Sequence, residues 1–109
     1  MLRNYRKPLV IAAPKVGLKH PKASSNISEF APGNVFQPTI AKDFGSGHAK
    51  KVILCSGKVA FDIEAKLEGG ASNTRVVRVE EIAPFPTQRI RQHLEGAEQA
   101  IWMQEESMN

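Results

Sequence analysis

Three short apolar runs, Val52-Ile53-Leu54-Cys55, Thr74-Arg75-Val76-Val77-Arg78-Val79 and Ala100-Ile101-Trp102-Met103, alternate with two stretches of helical periodicity. That alternation is the tightest constraint on what this chain can fold into. After the first run, Val59, Ile63 and Leu67 recur at a spacing of four with Ala60 beside them, which predicts a core-facing helix over 59–67, ended by Gly69-Gly70. After the second run and Pro84-Phe85-Pro86, Thr87 is a candidate N-cap. Ile90, Leu94 and Ala97 then line one face of a second helix, over 87–94, which Gly96 ends. A β-α-β-α-β order with short connections and right-handed crossovers predicts a parallel sheet. Strands that are apolar on both sides need cover on both sides, so the helices belong on opposite faces. The fold class is therefore α/β, with a mostly parallel, open, twisted sheet.

Upstream the pattern is less regular. Leu9-Val10-Ile11-Ala12-Ala13, closed by Pro14, has the continuous apolar character of a strand buried on both faces, and is expected to join the same sheet. Residues 15–22, with Gly17 and Pro21, are expected to form a loop. Ser24 or Ser25 is expected to cap a brief helix through Phe30, and Ala31-Pro32-Gly33-Asn34 is a turn. Residues 35–40 are extended at best, because Pro38 has no amide to give a sheet ladder and belongs at an edge. Residues 43–51, with Gly45-Ser46-Gly47, are expected to be a surface loop.

A chain of 109 residues makes one domain. No apolar run approaches the roughly 20 residues of a membrane span. The single cysteine, Cys55, excludes an internal disulfide and a multi-cysteine metal site, and its apolar neighbours mark it as a buried strand residue rather than a nucleophile. The net charge of +4 conceals a polarity: residues 1–58 carry ten Lys/Arg against Glu29 and Asp43, and residues 59–109 carry five against nine Asp/Glu. The basic residues are scattered through loops without interleaved aromatics, unlike a nucleic-acid-binding stripe, and a basic and an acidic face suit packing inside a larger protein. A basic RNA-associated protein is the weaker alternative.

Few groups have the spacing that chemistry requires. Ser56-Gly57-Lys58 forms the first βα turn, where helix-terminal amides and Lys58 can meet an anion; the plainer alternative is a tight turn. Arg89 and Arg91 open the second helix and complete a candidate anion or effector site with Lys58. The glycine spacings of a dinucleotide fingerprint or a P-loop are missing. His20, His48 and His93 lack ligand-spaced partners, so no metal site is expected. Glu80-Glu81 and Glu105-Glu106 end neighbouring elements as paired carboxylates, with solvated tips as the ordinary alternative. No catalytic or cofactor-binding residue is identified.

Four blocks in fixed order carry a resemblance: Arg6-Lys7-Pro8-Leu9, Leu54-Cys55-Ser56-Gly57-Lys58, Arg78-Val79-Glu80-Glu81-Ile82-Ala83-Pro84-Phe85-Pro86 and Trp102-Met103-Gln104-Glu105-Glu106. Together they resemble the C-terminal domain of the decarboxylating component of the 2-oxoglutarate dehydrogenase complex, including its 2-oxoadipate-preferring relative. The resemblance implies a domain like the C-terminal domain of transketolase. It implies homodimers that use thiamine diphosphate and magnesium, bound by preceding domains, and that work with lipoyl-bearing acyltransferases. In eukaryotes it implies the mitochondrial matrix, otherwise the cytoplasm. No targeting sequence is expected here: Met1-Leu2-Arg3-Asn4-Tyr5-Arg6-Lys7 is basic like a presequence, but Pro8 follows at once, and the resemblance implies that the stretch is internal.

Where the family has proline after the paired glutamates, this chain has Ser107, and the family domain continues for roughly half as much again. Residues 1–109 are thus expected to be a single incomplete domain with apolar surface left open. Some relatives respond to adenine nucleotides or coenzyme A thioesters, which would place an effector surface at Phe36-Gln37-Pro38 and the Arg89/Arg91 helix. The implied function is a non-catalytic, structural and dimer-supporting domain of a 2-oxo acid dehydrogenase. The alternative is a free-standing α/β module that binds a nucleotide or coenzyme A.

Overall fold

β-branched residues with apolar neighbours on both sides build the centre of the sheet. The computed structural model describes residues 6–13, 15–70 and 73–105. In it, β1 (Thr39–Phe44), β2 (Lys51–Cys55), α1 (Val59–Leu67), β3 (Thr74–Val79), α2 (Thr87–Leu94) and β4 (Gln99–Met103) follow one another. The spatial order is β1-β3-β2-β4. β2 pairs in parallel with both β3 and β4, and β1 pairs antiparallel with β3. The parallel β-α-β-α-β unit and the central place of β2 are as the alternating runs predict.

Successive strand residues point to opposite faces, so the pleat divides the interior in two. Ile53, Cys55, Val76 and Phe44 meet Ala60 and Ile63 of α1 on one face. Val52, Leu54, Val77 and Val79 meet Ile90 of α2 on the other, with Leu94 and Ala97 beside them. Val52, Cys55, Val76, Val77 and Val79 are the largest fully buried side chains. Burying a valine or isoleucine stabilises by about 1.5–3 kcal/mol, so these two layers hold the domain together. α2 ends where Gly96 turns left-handed at φ +75, and a Cβ there would come within 2.5 Å of His48 Nε2.

Four expectations need correction. Residues 9–13 form no strand: Leu9, Val10 and Ile11 are exposed and the segment is irregular. A strand buried on both faces needs layers above and below it, and α1 and α2 are already occupied over β2 and β3. The expected loop at residue 43 is instead the end of β1, whose edge position tolerates Pro38 just before it. The Pro38 carbonyl accepts from the amides of Glu80 and Glu81 at 2.9 and 3.1 Å, which fixes the register. Residues 24–30 hold only a 3-10 turn, Ile27–Phe30, after similar turns at Lys15–Lys19 and Pro21–Ala23. The Glu29 carboxylate takes the Asn26 amide at 3.2 Å in a capping box that starts the turn, but Ala31, which precedes Pro32, is extended at ψ 154 and stops it from continuing. Finally, Pro86 rather than Thr87 caps α2, and the Thr87 amide donates back to the Phe85 carbonyl at 2.8 Å.

β4 differs from its neighbours. Its register places Ile101 and Met103 beside Ile53 and Cys55, and Trp102 beside Leu54, so both of its faces are apolar. Yet Trp102 is 44% exposed and Met103 37%, and its outer edge pairs with nothing among the described residues.

Two layers separated by a sheet should respond independently. Ile63→Val and Ile90→Val are each expected to cost about 0.5–1.5 kcal/mol, and the double variant to equal their sum within about 0.5 kcal/mol. Urea unfolding measures this; strong coupling between the two would mean one continuous core.

Candidate functional site

The carboxyl edge of the sheet is where an open α/β fold gathers ligands, and here it gathers a charge pair and an aromatic pair. β2 leaves through Ser56 and Gly57, whose φ of +73 glycine adopts without strain. Lys58 then opens α1, and its ammonium lies 3.5 Å from the carboxylate of Glu105, which follows β4. Phe85, on the loop after β3, approaches Trp102 with ring centroids 6.4 Å apart, and the indole N–H donates to Gln104 at 2.9 Å. Of the paired glutamates, Glu80 is bound by Arg78 of β3 and Glu105 by Lys58; Glu106 and Ser107 lie outside the described residues. These carboxylates hold cations rather than share a proton.

The candidate anion residues do not converge on one face. Lys58 begins α1, whereas Arg89 and Arg91 ride on α2 across the sheet. The Arg89/Arg91 helix is likewise separated from Phe36 and Gln37, which line a groove on the α1 side.

That groove, about 830 Å³ in volume, lies between residues 22–37 and the surface made by β1 and α1. Phe30, Val35 and Phe36 form its apolar wall, and Lys42, Glu64 and Arg78 face them. Each of these charges has a partner. Lys42 binds Glu64 at 2.9 Å and Glu68 at 3.3 Å, and Glu68 also takes Lys22 at 2.5 Å. The Glu64 bond, reinforced by Glu68, raises the Lys42 pKa, and the Lys22 and Lys42 bonds lower that of Glu68. Arg78 lies over the Phe61 ring at 5.3 Å, and His20 stacks on the same ring at 4.8 Å. A network of this kind positions surfaces. It leaves little uncompensated charge for an incoming anion.

On the α2 side, Asp43 and Arg75 are direct cross-strand partners and bond through two contacts, at 2.6 and 3.0 Å. Arg75 holds the Asp43 carboxyl below its ordinary range, with His93 and His48 adding to the effect. His93 Nε2 lies 3.1 Å from the Thr39 hydroxyl; burial lowers its pKa, and Arg75 and Arg89 push the same way. Sequence reading missed this cluster because it placed residue 43 in a loop. The signal was the alternation Ile40, Lys42, Phe44 against Ala41, Asp43. Cys55 is buried and its thiol, pushed up to about 11 by desolvation, contacts the Val77 carbonyl at 3.9 Å. It stays protonated at neutral pH, as befits a strand residue. Among the described residues no three metal-ligating side chains gather, and no helix is long and apolar enough to cross a membrane.

Comparison with known proteins gives this arrangement a context. The family model described as 2-oxoglutarate dehydrogenase C-terminal matches residues 24–109. A Dictyostelium discoideum protein, "Probable 2-oxoadipate dehydrogenase complex component E1 homolog", is 42% identical over 116 residues, covering 100% of this chain and 13% of its own length. A Caenorhabditis elegans protein of the same description is 42% identical over 113 residues, covering 97% of this chain and 12% of its own. The Homo sapiens "2-oxoadipate dehydrogenase complex component E1" is 37% identical over 116 residues, again 100% of this chain and 13% of the relative. The chain thus spans about an eighth of the length of these relatives.

The two lowered pKa values have opposite chemistry and the same sign. Folding favours neutral His93, so its contribution is present above the ordinary 6.5 and lost as pH falls below it. Folding favours ionised Asp43, so its contribution is present above the ordinary 3.8 and lost as pH falls through the lowered folded value. The thermal midpoint is therefore expected to fall in two acid stages, with His93→Gln flattening the stage between pH 7 and 5 and Asp43→Asn the one below 4. A His93→Gln profile that superimposes on the parent between pH 7 and 5 would contradict this.

Proposed function

The chain belongs to the 2-oxoglutarate dehydrogenase C-terminal family, and from that premise we propose that it is a non-catalytic, dimer-supporting domain of an E1 component that decarboxylates 2-oxoglutarate or 2-oxoadipate. The observation that carries this reading is the alignment of the whole chain, at 42% identity, with a protein named as a 2-oxoadipate dehydrogenase E1 homolog.

The geometry supports a supporting role. β4 has apolar side chains on both faces, as an interior strand of a larger sheet does, and its Trp102 and Met103 stand exposed, with the exposed Phe85 beside Trp102. Leu9, Val10 and Ile11 are more exposed still. Exposed apolar side chains of this kind suit contact with other protein, here the rest of the E1 polypeptide and a second subunit. The Lys58–Glu105 pair joins the exits of β2 and β4.

Thiamine diphosphate and magnesium supply the decarboxylation chemistry of such enzymes. The residues of this chain do not fit that group. Among the described residues the carboxylates of Asp43, Glu64, Glu68, Glu80, Glu98 and Glu105 are engaged with Lys or Arg, and no three metal-ligating side chains gather. The cofactor is accordingly assigned to other domains, and no step is routed through this one. The same reading gives a lipoyl-bearing acyltransferase as the partner of the whole enzyme and, in a eukaryote, the mitochondrial matrix as its compartment.

A chimera tests the reading. The segment of the Dictyostelium relative that aligns with this chain is replaced by residues 1–109, and a second variant lacks the segment. The chimera is expected to stay dimeric and to decarboxylate 2-oxoadipate or 2-oxoglutarate within about tenfold of the parent, a difference of about 1.4 kcal/mol, while the deletion loses both properties. A deletion variant that remains dimeric and active would overturn the proposal.

A further inference from the structure

Residues 21–37 differ from the sheet and its two helices in how they are held. All of them are exposed. Their hydrogen bonds are local: Ala23 to the His20 carbonyl, the Ser24 hydroxyl to the Pro21 carbonyl, Asn26 to Glu29, and Asn34 to Ala31 and to Ser28. None of these reaches the sheet. At one end the segment is pinned, because the Pro38 carbonyl accepts from both Glu80 and Glu81. At the other end it is fastened by side chains alone, through His20 stacked on Phe61 and Lys22 bound to Glu68. His20 also takes the Lys22 amide on its Nδ1 at 3.3 Å, so the two fastenings share one short turn.

Between pin and fastening lies the groove, with the segment as one wall and β1 and α1 as the other. The Cα radius of gyration, 15.8 Å, exceeds the roughly 13 Å of a compact chain of about 100 residues. None of the described residues 21–37 belongs to either buried layer.

We propose that residues 21–37 are a strap that opens as a unit about Pro38, with His20 and Lys22 as its buckle, and that it controls access to the groove over Ile40, Lys42 and Arg78. The physical ground is a difference in local stability. Among the described residues, opening breaks the Lys22–Glu68 ion pair and the His20–Phe61 ring contact, both weak in water, and no residue of 21–37 belongs to the buried layers. Opening β2 or β3 instead uncovers the valines of both layers. Segments held this lightly open without global unfolding. Lys42 keeps Glu64 when Lys22 leaves Glu68, so the floor of the groove survives opening. The strap is thus a two-position element whose closed position depends on Lys22 and His20.

NMR on the full 109-residue chain tests this, with Lys22→Ala, His20→Ala and Lys22→Arg compared with the parent. In the parent, backbone order parameters over 21–37 are expected to lie near the rigid value of about 0.85 and in the two Ala variants to fall together below about 0.6. β2 and β3 should be unchanged, and Lys22→Arg should restore the closed state. A soluble paramagnetic chelate should broaden the Ile40 methyl signals more in the Ala variants than in the parent. Three results would each overturn the proposal: a segment as mobile in the parent as in the variants, changes confined to the neighbours of the mutated residue, or loosening of the sheet along with the segment.

Discussion

The structure depends on one constraint: β2 and β3 lie side by side in parallel with apolar residues on both faces. Neither strand can face water on either side, so the chain must supply a layer above and a layer below. α1 and α2 do this, each reached by a short crossover, and each has its apolar stripe matched to one face of the pleat. Ala60 and Ile63 fall on the face of Ile53 and Val76, while Ile90 falls on that of Val77 and Val79. The antiparallel β1 then closes one side, its edge guarded by Pro38, Lys42 and Asp43, residue types that discourage further pairing. The other side has no such guard. β4 presents Ala100, Ile101, Trp102 and Met103 without a charge among them, and this difference between the two edges supports reading the domain as part of a larger assembly.

What could be read from the sequence follows the strength of the local signal. β3 and the extent of both helices were legible, apart from the cap of α2, because burial on one face or both leaves a period in the sequence. β1 was not legible. An edge strand, exposed at most of its positions and following a proline, has no strong period, and it exists here because β3 offers it a ladder. The run at 9–13 failed in the opposite way. Its composition suits a buried strand, but its partners are not among the packed elements, and composition cannot say where partners are.

The candidate site was less legible than the fold. Lys58, Arg89 and Arg91 were singled out for being basic and near helix starts, but the topology sends α1 and α2 to opposite faces, and charge along the sequence does not reveal that. The groups that do meet, Asp43 with Arg75 and Lys42 with Glu64 and Glu68, are 22 to 32 residues apart and are joined only by sheet register and helix placement. Charge pairing across such distances records the finished fold. The family resemblance was legible because its four blocks fall at turn and edge positions as well as in the core.

On the proposed reading, the free edge of β4 becomes an internal position when the segment sits in a full-length relative. Amide hydrogen exchange measures this directly, with Gln99–Met103 compared between the 109-residue chain and the same residues carried in the full-length E1 chimera. The account predicts that the outward-pointing amides of β4 exchange about 100-fold or more slowly in the full-length protein, a difference of about 2.7 kcal/mol in local opening, while the amides of β2 change little. Equal exchange of the β4 amides in the two proteins would contradict it.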